Sequence, residues 1–402
     1  MPSRPRVVFV LAAALIPALF GTASALPTEA INGQGNRSGL EQDVGFLASD
    51  ALQGRDNQTA GSTLAQNYLI DQLRHYAVGA NTSATGDDAF KQAIPGGTNI
   101  VGMIPGAGSE FVVVGAHYDH LGNGCRHKDP LNQICNGATD NAAGVANVLS
   151  IGRELAQRPG ALPRTVVLAF WDREEDGLLG SQFYVNHPLV PLAQTAAYVN
   201  YDIQGANLLP SLRRDTFAVG AESGGAPLQS IVRSAAQRGP IDTHLVSSIF
   251  GQGRSDYVNF IAKSVPTVFY SDSTGGCYHT TQDELGVVDF WKLRFQAKIG
   301  LDTVQSLVNG PRVPFVSDNP LATYDDALAL LPIVNNGIAD EDLFSGAAHD
   351  QLLTFHDDVN RIVAEGRANF DDDDVITLLT DAGNAINNTT TLDCDGFLKP
   401  GK

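Results

Sequence analysis

Between Asn99 and Tyr270, short apolar runs alternate with stretches of helical period, and this alternation limits the fold more than any other feature of the chain. The strand-like runs are Asn99 to Ile104, Phe111 to Ala116, Thr165 to Trp171, Ala197 to Ile203, Thr216 to Val219 and Val265 to Tyr270. They are short, rich in β-branched residues and bounded by turn formers, as buried strands are. Gly144 to Gln157, Leu178 to Asn186 and Leu228 to Gln237 carry apolar residues at helical spacing. Strands of continuous apolar character are buried on both faces, so the pattern predicts an α/β sheet covered by helices on each side.

The flanks read differently. Arg4 and Arg6 precede the apolar run Val7 to Phe20, and Ala23-Ser24-Ala25 supplies small residues for cleavage. Residues 1–25 are therefore expected to be a signal peptide, and the protein to be exported to the periplasm or the medium. Ser38 to Tyr76 is expected to be largely helical, and Gly79 to Gly97, polar and turn-rich, to be a connection. The expected organisation is a catalytic domain over 26–310 and an acidic helical extension over 311–402. In that extension Ala327 to Leu331, Leu352 to Ile362 and Val375 to Ile386 have helical periodicity. Asp371 to Asp374 is read as a helix start, where negative charge suits the dipole.

The formal net charge of −18 at pH 7 would repel nucleic acid and anionic lipid, so neither is expected as a partner. Four cysteines fit an oxidising compartment. Cys125 and Cys135 bracket a polar loop and form a plausible local pair, with Cys277 and Cys394 left as a long-range pair; spacing does not fix the connectivity.

Chemistry-bearing residues fall at or just beyond the strand ends, where ligands collect in α/β sheets. In GAHYDHLG, His117 can ligate a metal while Asp119 holds its other ring nitrogen. In GATDNAAG, Asp140 has two oxygens that can bridge a pair of cations. In FWDREEDGLLGS, Glu175 can bind metal and leave Glu174 free to take a proton from water. Asp202 in YVNYDIQG ends an apolar strand, where an unpaired carboxylate is costly. His279 in GCYHTTQDE completes the set. Each alone has an ordinary reading as a packed histidine, a helix cap or a solvated acid; the five together point to a two-metal hydrolase.

These motifs, with LASDALQGRD, NIVGMIPG and GRSDYVNF, resemble the co-catalytic zinc aminopeptidases of metallopeptidase family 28, over about Phe46 to Leu307. The resemblance implies a mixed, largely parallel central sheet of the zinc exopeptidase type, followed here by the C-terminal helical extension. It also implies two zinc ions per chain: His117 and Asp202 on one, Glu175 and His279 on the other, Asp140 bridging. Asp119 would orient His117, Glu174 would be the general base, Tyr278 would donate to the oxyanion and Arg254 would position substrate. The Asp140–Asn141 peptide would be cis. Peptides are the expected substrates, and a monomer the expected state. Tyr257 stands where relatives often have histidine, and Cys277 has no nearby partner of the kind some relatives bridge across this loop.

Two other readings share these features. Glutaminyl cyclases have the same fold and most of the acidic motifs but use one zinc for aminoacyl transfer. A non-catalytic binding ectodomain of this fold would usually lack one or more ligands.

Overall fold

A computed structural model describes residues 39–126 and 131–397; the expected signal peptide lies outside the described residues. The chain opens with α1 (Gly39–Leu47) and α2 (Ala60–Leu73), the latter capped by Thr59, whose side chain accepts from Ser62 N–H. Strands β1 (Val78–Gly79), β2 (Lys91–Ile94), β3 (Gly97–Ile104) and β4 (Phe111–His117) follow. Then come α3 (Ala143–Ala156), β5 (Thr165–Trp171), α4 (Leu179–Asn186), β6 (Thr195–Tyr201), β7 (Asp215–Val219), α5 (Gly225–Ala236) and β8 (Asp242–Val246). The core closes with α6 (Tyr257–Ile261), β9 (Thr267–Ser271) and α7 (Phe290–Asn309).

The strands form one sheet in the order β1-β3-β5-β4-β6-β9-β7-β8, with β2 also on β3. Its centre, β5-β4-β6-β9, is parallel, while β3 joins β5 and β7 joins β9 antiparallel. The six runs read as strands are all strands. Two corrections apply to the sequence reading. Gly79 to Gly97 is not only a connection, because β2 lies within it, and β8 was not anticipated. Both are edge strands with one side in solvent, so neither has the apolar run that marks the central ones.

Alternate residues of the central strands supply two cores. Val112, Val114, Val199, Tyr201 and Val268 pack with α1, α2, α3, α5 and α7 on one face. Val113, Val167, Trp171 and Tyr198 pack with Tyr184, Val185 and Phe260 on the other. Complete burial of one such side chain contributes roughly 1.5–3 kcal/mol, which fixes the strand register because a one-residue slip would exchange the two faces.

Beyond Val308 lie α8 (Tyr324–Gly337), α9 (Ala347–Glu365) and α10 (Asp372–Thr389). Asp371 caps α10 by accepting from Asp373 and Asp374 N–H, as the acidic run predicted. Leu330, Phe355 and Leu378 of these helices share a buried cluster with Val219, Val246 and Phe269 of the sheet. Disulfides join Cys125 to Cys135 and Cys277 to Cys394. Among the described residues, no helix is long and apolar enough to cross a membrane.

Candidate metal centre

Parallel strands end on the same edge of a sheet, and here that edge collects the acids and imidazoles. His117 is the last residue of β4; Glu174 and Glu175 follow β5; Asp202 follows β6; His279 lies in the loop after β9. Asp140 enters from the side, in the kinked turn Ala138–Ala142 that leads into α3, and the Asp140–Asn141 peptide is cis. Arg173, Ile203 and His279 have left-handed φ of 60°, 56° and 53°. Non-glycine residues adopt this region where the surroundings impose it, commonly at functional sites. Each of the three is, or adjoins, a candidate site residue.

The two oxygens of Asp140 face different partners. Oδ1 is 3.2 Å from His117 Nε2, which is itself 3.2 Å from Asp202 Oδ1. Oδ2 is 3.2 Å from His279 Nε2, which is 3.1 Å from Glu175 Oε2. Nitrogen and oxygen ligands at about 2.0–2.1 Å around a tetrahedral zinc ion are separated by roughly 3.3 Å. Both donor groups therefore have the composition and spacing that zinc takes. His117 Nδ1 lies 3.1 Å from the carbonyl oxygen of Asp119. A carbonyl only accepts, so Nδ1 carries the proton and the Nε2 lone pair faces Asp140 and Asp202.

The sequence profile of peptidase family M28 matches residues 99–297, the segment from β3 into α7 that holds all of these donors. The chain belongs to peptidase family M28. Leucine aminopeptidase 1 of Ajellomyces capsulatus is 27% identical over 265 residues, covering 60% of this chain and 63% of that protein. A probable leucine aminopeptidase of Trichophyton verrucosum is 24% identical over 223 residues, covering 54% of this chain and 57% of that one. The chain thus spans little more than half the length of these curated relatives. In fold it is similar to the LapA aminopeptidase of Legionella pneumophila, with a TM-score of 0.55 at 15% identity, covering 70% of this chain and 74% of that one. It is equally similar to a glutaminyl cyclase of Porphyromonas gingivalis, with a TM-score of 0.54 at 18% identity, covering 67% and 98%. The mixed sheet with helices on both faces is that of the M28 zinc exopeptidases.

Within this M28 chain the remaining candidates take distinct places. The Asp119 carboxylate is 3.5 Å from His117 Nδ1 and accepts from the backbone N–H groups of Glu174 and Glu175, at 3.1 and 3.3 Å. It therefore ties the β4 end to the acidic loop after β5. Glu174 stands 3.9 Å from His117 Nε2 through Oε2. The Tyr278 ring stacks on His279, 3.8 Å between centroids, and its hydroxyl accepts from Arg254 Nη2 at 3.3 Å.

The structure adds residues to which the sequence reading gave no role. His120 Nδ1 is 2.7 Å from Glu175 Oε1 but 4.0 Å from Asp140 Oδ2. His120, Asp140 and Glu175 thus form a group that could itself hold a metal ion, but His120 is close to Glu175 only, whereas His279 Nε2 stands 3.2 and 3.1 Å from Asp140 and Glu175. Asp283 accepts from the N–H groups of Thr139 and Asp140 and from the Thr139 hydroxyl, fixing the turn that carries Asp140. Arg55, fully buried, donates to the carbonyls of Leu47, Tyr118, Asn136 and Gly137, clamping together the segments that carry His117 and Asp140. All three lie in quoted motifs, His120 in GAHYDHLG, Asp283 in CYHTTQDE and Arg55 in LASDALQGRD. Position in a motif was the available signal, and their partners are too distant in sequence for spacing to reveal.

Electrostatics separate the acids. Burial raises the Glu174 carboxyl well above the usual range; His117 opposes this and Asp202 adds to it. Burial also raises Glu175, yet hydrogen bonds with His120 and His279 outweigh it and hold the group down at about 2. Asp140 is likewise raised by burial but brought well below its ordinary value by His117 and His279. Burial disfavours charge on His279, and Asp140 and Glu175 reverse that, lifting it to about 10. Neighbouring glutamates are thus pushed in opposite directions, the pattern by which environments separate a proton carrier from a permanent anion.

Proposed function

We propose that this chain is a zinc-dependent aminopeptidase that holds two ions, one by His117, Asp140 and Asp202 and one by Asp140, Glu175 and His279. The observation that carries the reading is Asp140, whose two oxygens each stand 3.2 Å from a different imidazole. Zinc at these positions would lower the pKa of a water and polarise the scissile carbonyl.

The chain's own groups do the rest. Glu174, raised by burial, accepts the proton of the attacking water and returns it to the leaving amine. Tyr278 offers its hydroxyl proton to the developing oxyanion, and Arg254 Nη2 donates to that hydroxyl oxygen and aims it. Acidic groups around the cluster favour a substrate whose α-amine is free and protonated, which makes the reaction exopeptidic. Asp119 positions Glu174, Glu175 and His117 together. Two disulfides fit export to an oxidising compartment.

The decisive experiment measures zinc per chain together with release of an N-terminal leucine and cyclisation of an N-terminal glutamine. Two zinc ions and leucine release are expected. One zinc with cyclisation would favour the glutaminyl cyclase reading. Fewer than one zinc and no turnover would favour a binding ectodomain.

A further inference from the structure

An apolar cavity of about 150 Å³ opens beside the metal centre and runs from Asp140, Glu174 and Asp202 to the C-terminal helices. Its near end is charged. Its far end is formed by Leu330 and Ile333 of α8, Ala348 and Phe355 of α9, and Ala385 and Ile386 of α10. These helices belong to a strongly acidic part of the chain, yet they contribute no charged residue to the lining. We infer that α8, α9 and α10 build the wall of the pocket that receives the first side chain of the substrate, and that this wall selects a large apolar side chain. This inference rests on the aminopeptidase reading and names its substrate class.

Three observations carry it. First, there is room: a space of about 150 Å³ is enough to admit a group the size of a benzene ring, and here it spans both the acidic end and the apolar wall. A leucine or phenylalanine side chain is of that order, whereas alanine would leave most of the space unfilled. Second, the cavity is polarised, with Asp140, Glu174, Glu175 and Asp202 at one end and an apolar wall at the other. That matches a protonated α-amine at the acidic end and an apolar first side chain at the other. Third, the wall is fastened to the site. Cys394 is bonded to Cys277, next to Tyr278, and Thr389 Oγ1 donates to Thr274 O at 2.9 Å. Arg126 Nη2 donates both to Thr390 O, at 2.8 Å, and to Tyr278 O, at 2.9 Å. The end of α10 is therefore held against the loop that presents Tyr278 and His279.

The test grows side chains into the cavity from the C-terminal helices. For the zinc-loaded wild type, kcat/KM with leucyl p-nitroanilide should exceed that with alanyl p-nitroanilide by at least about tenfold, within the range that added methylenes bring in an apolar pocket. In Ala385→Phe this leucine-to-alanine ratio should fall at least about tenfold. A ratio that stays within about twofold of wild type in a variant with unaltered melting temperature would overturn the inference. Ala348→Phe, which enters from α9, serves where Ala385→Phe does not fold. Calorimetry with free L-leucine and L-alanine separates the two readings. Preferential leucine binding that Ala385→Phe abolishes supports the wall even if wild type hydrolyses neither anilide, an outcome that would sink only the aminopeptidase reading; absence of any leucine preference would sink the wall.

Discussion

His120 Nδ1 meets Glu175 Oε1 at 2.7 Å, so the acid that faces His279 with one oxygen meets a second imidazole with the other. Partners of this kind orient metal-binding carboxylates, and their loss typically costs 10–100-fold in affinity or activity, as an order of magnitude. His120→Ala should therefore weaken retention of one zinc by about tenfold or more while leaving the other in place. Competition with a chelator, read as zinc remaining per chain, checks this. Simultaneous loss of both ions would show that His120 supports the fold instead.

Glu174→Gln keeps the shape of the side chain and removes its ability to carry a proton. Zinc content should stay at the wild-type level, and kcat should fall by about 100-fold or more, the usual scale for a general acid–base group. Substantial residual turnover would refute the assigned base.

Arg55 serves four buried carbonyl groups at once. Burial lowers its guanidinium to about 10, with Asp140 and Asp283 acting the other way, so it remains charged at neutral pH. Each acceptor left unpaired in the interior costs about 1–3 kcal/mol. Arg55→Met should reduce the unfolding free energy by roughly 3 kcal/mol or more. Urea denaturation of the metal-free protein measures it without a contribution from zinc binding.

Asp381 on α10 is raised to about 6 by burial and by Asp358 of α9. A carboxyl whose folded pKa lies above its unfolded value opposes folding when ionised. This destabilisation is full above about pH 6 and vanishes below the unfolded value of about 4. Asp381→Asn should therefore stabilise the protein at pH 8 by up to about 1 kcal/mol after solvent screening, and have no effect near pH 4. Parallel melting curves at the two pH values test the sign.

Much of this molecule was legible in the chain. β4, β5 and β6 are buried on both faces and so read as unbroken apolar runs, and the acids and imidazoles after them stand out because hydrophobic strands rarely end in unpaired charge. Asp371 announced the start of α10 because capping is local, set within a few residues. The cis peptide after Asp140 and the allocation of the five candidate ligands between two zinc ions came from resemblance rather than from the positions of the residues.

What only the tertiary structure decided is non-local. β2 and β8 pair through partners distant in sequence and lie at sheet edges, where one solvated side blurs the apolar pattern. That Asp140 turns one oxygen to His117 and the other to His279 depends on where the kinked turn Ala138–Ala142 sets it between groups far apart in sequence. Arg55 reaches carbonyls more than 80 residues away in sequence at Asn136 and Gly137. The apolar wall of α8, α9 and α10 became visible only once those helices were packed beside the metal centre. Sequence specifies which groups exist and where each local element begins; folding decides which of them meet, because contact energies act through space and not along the chain.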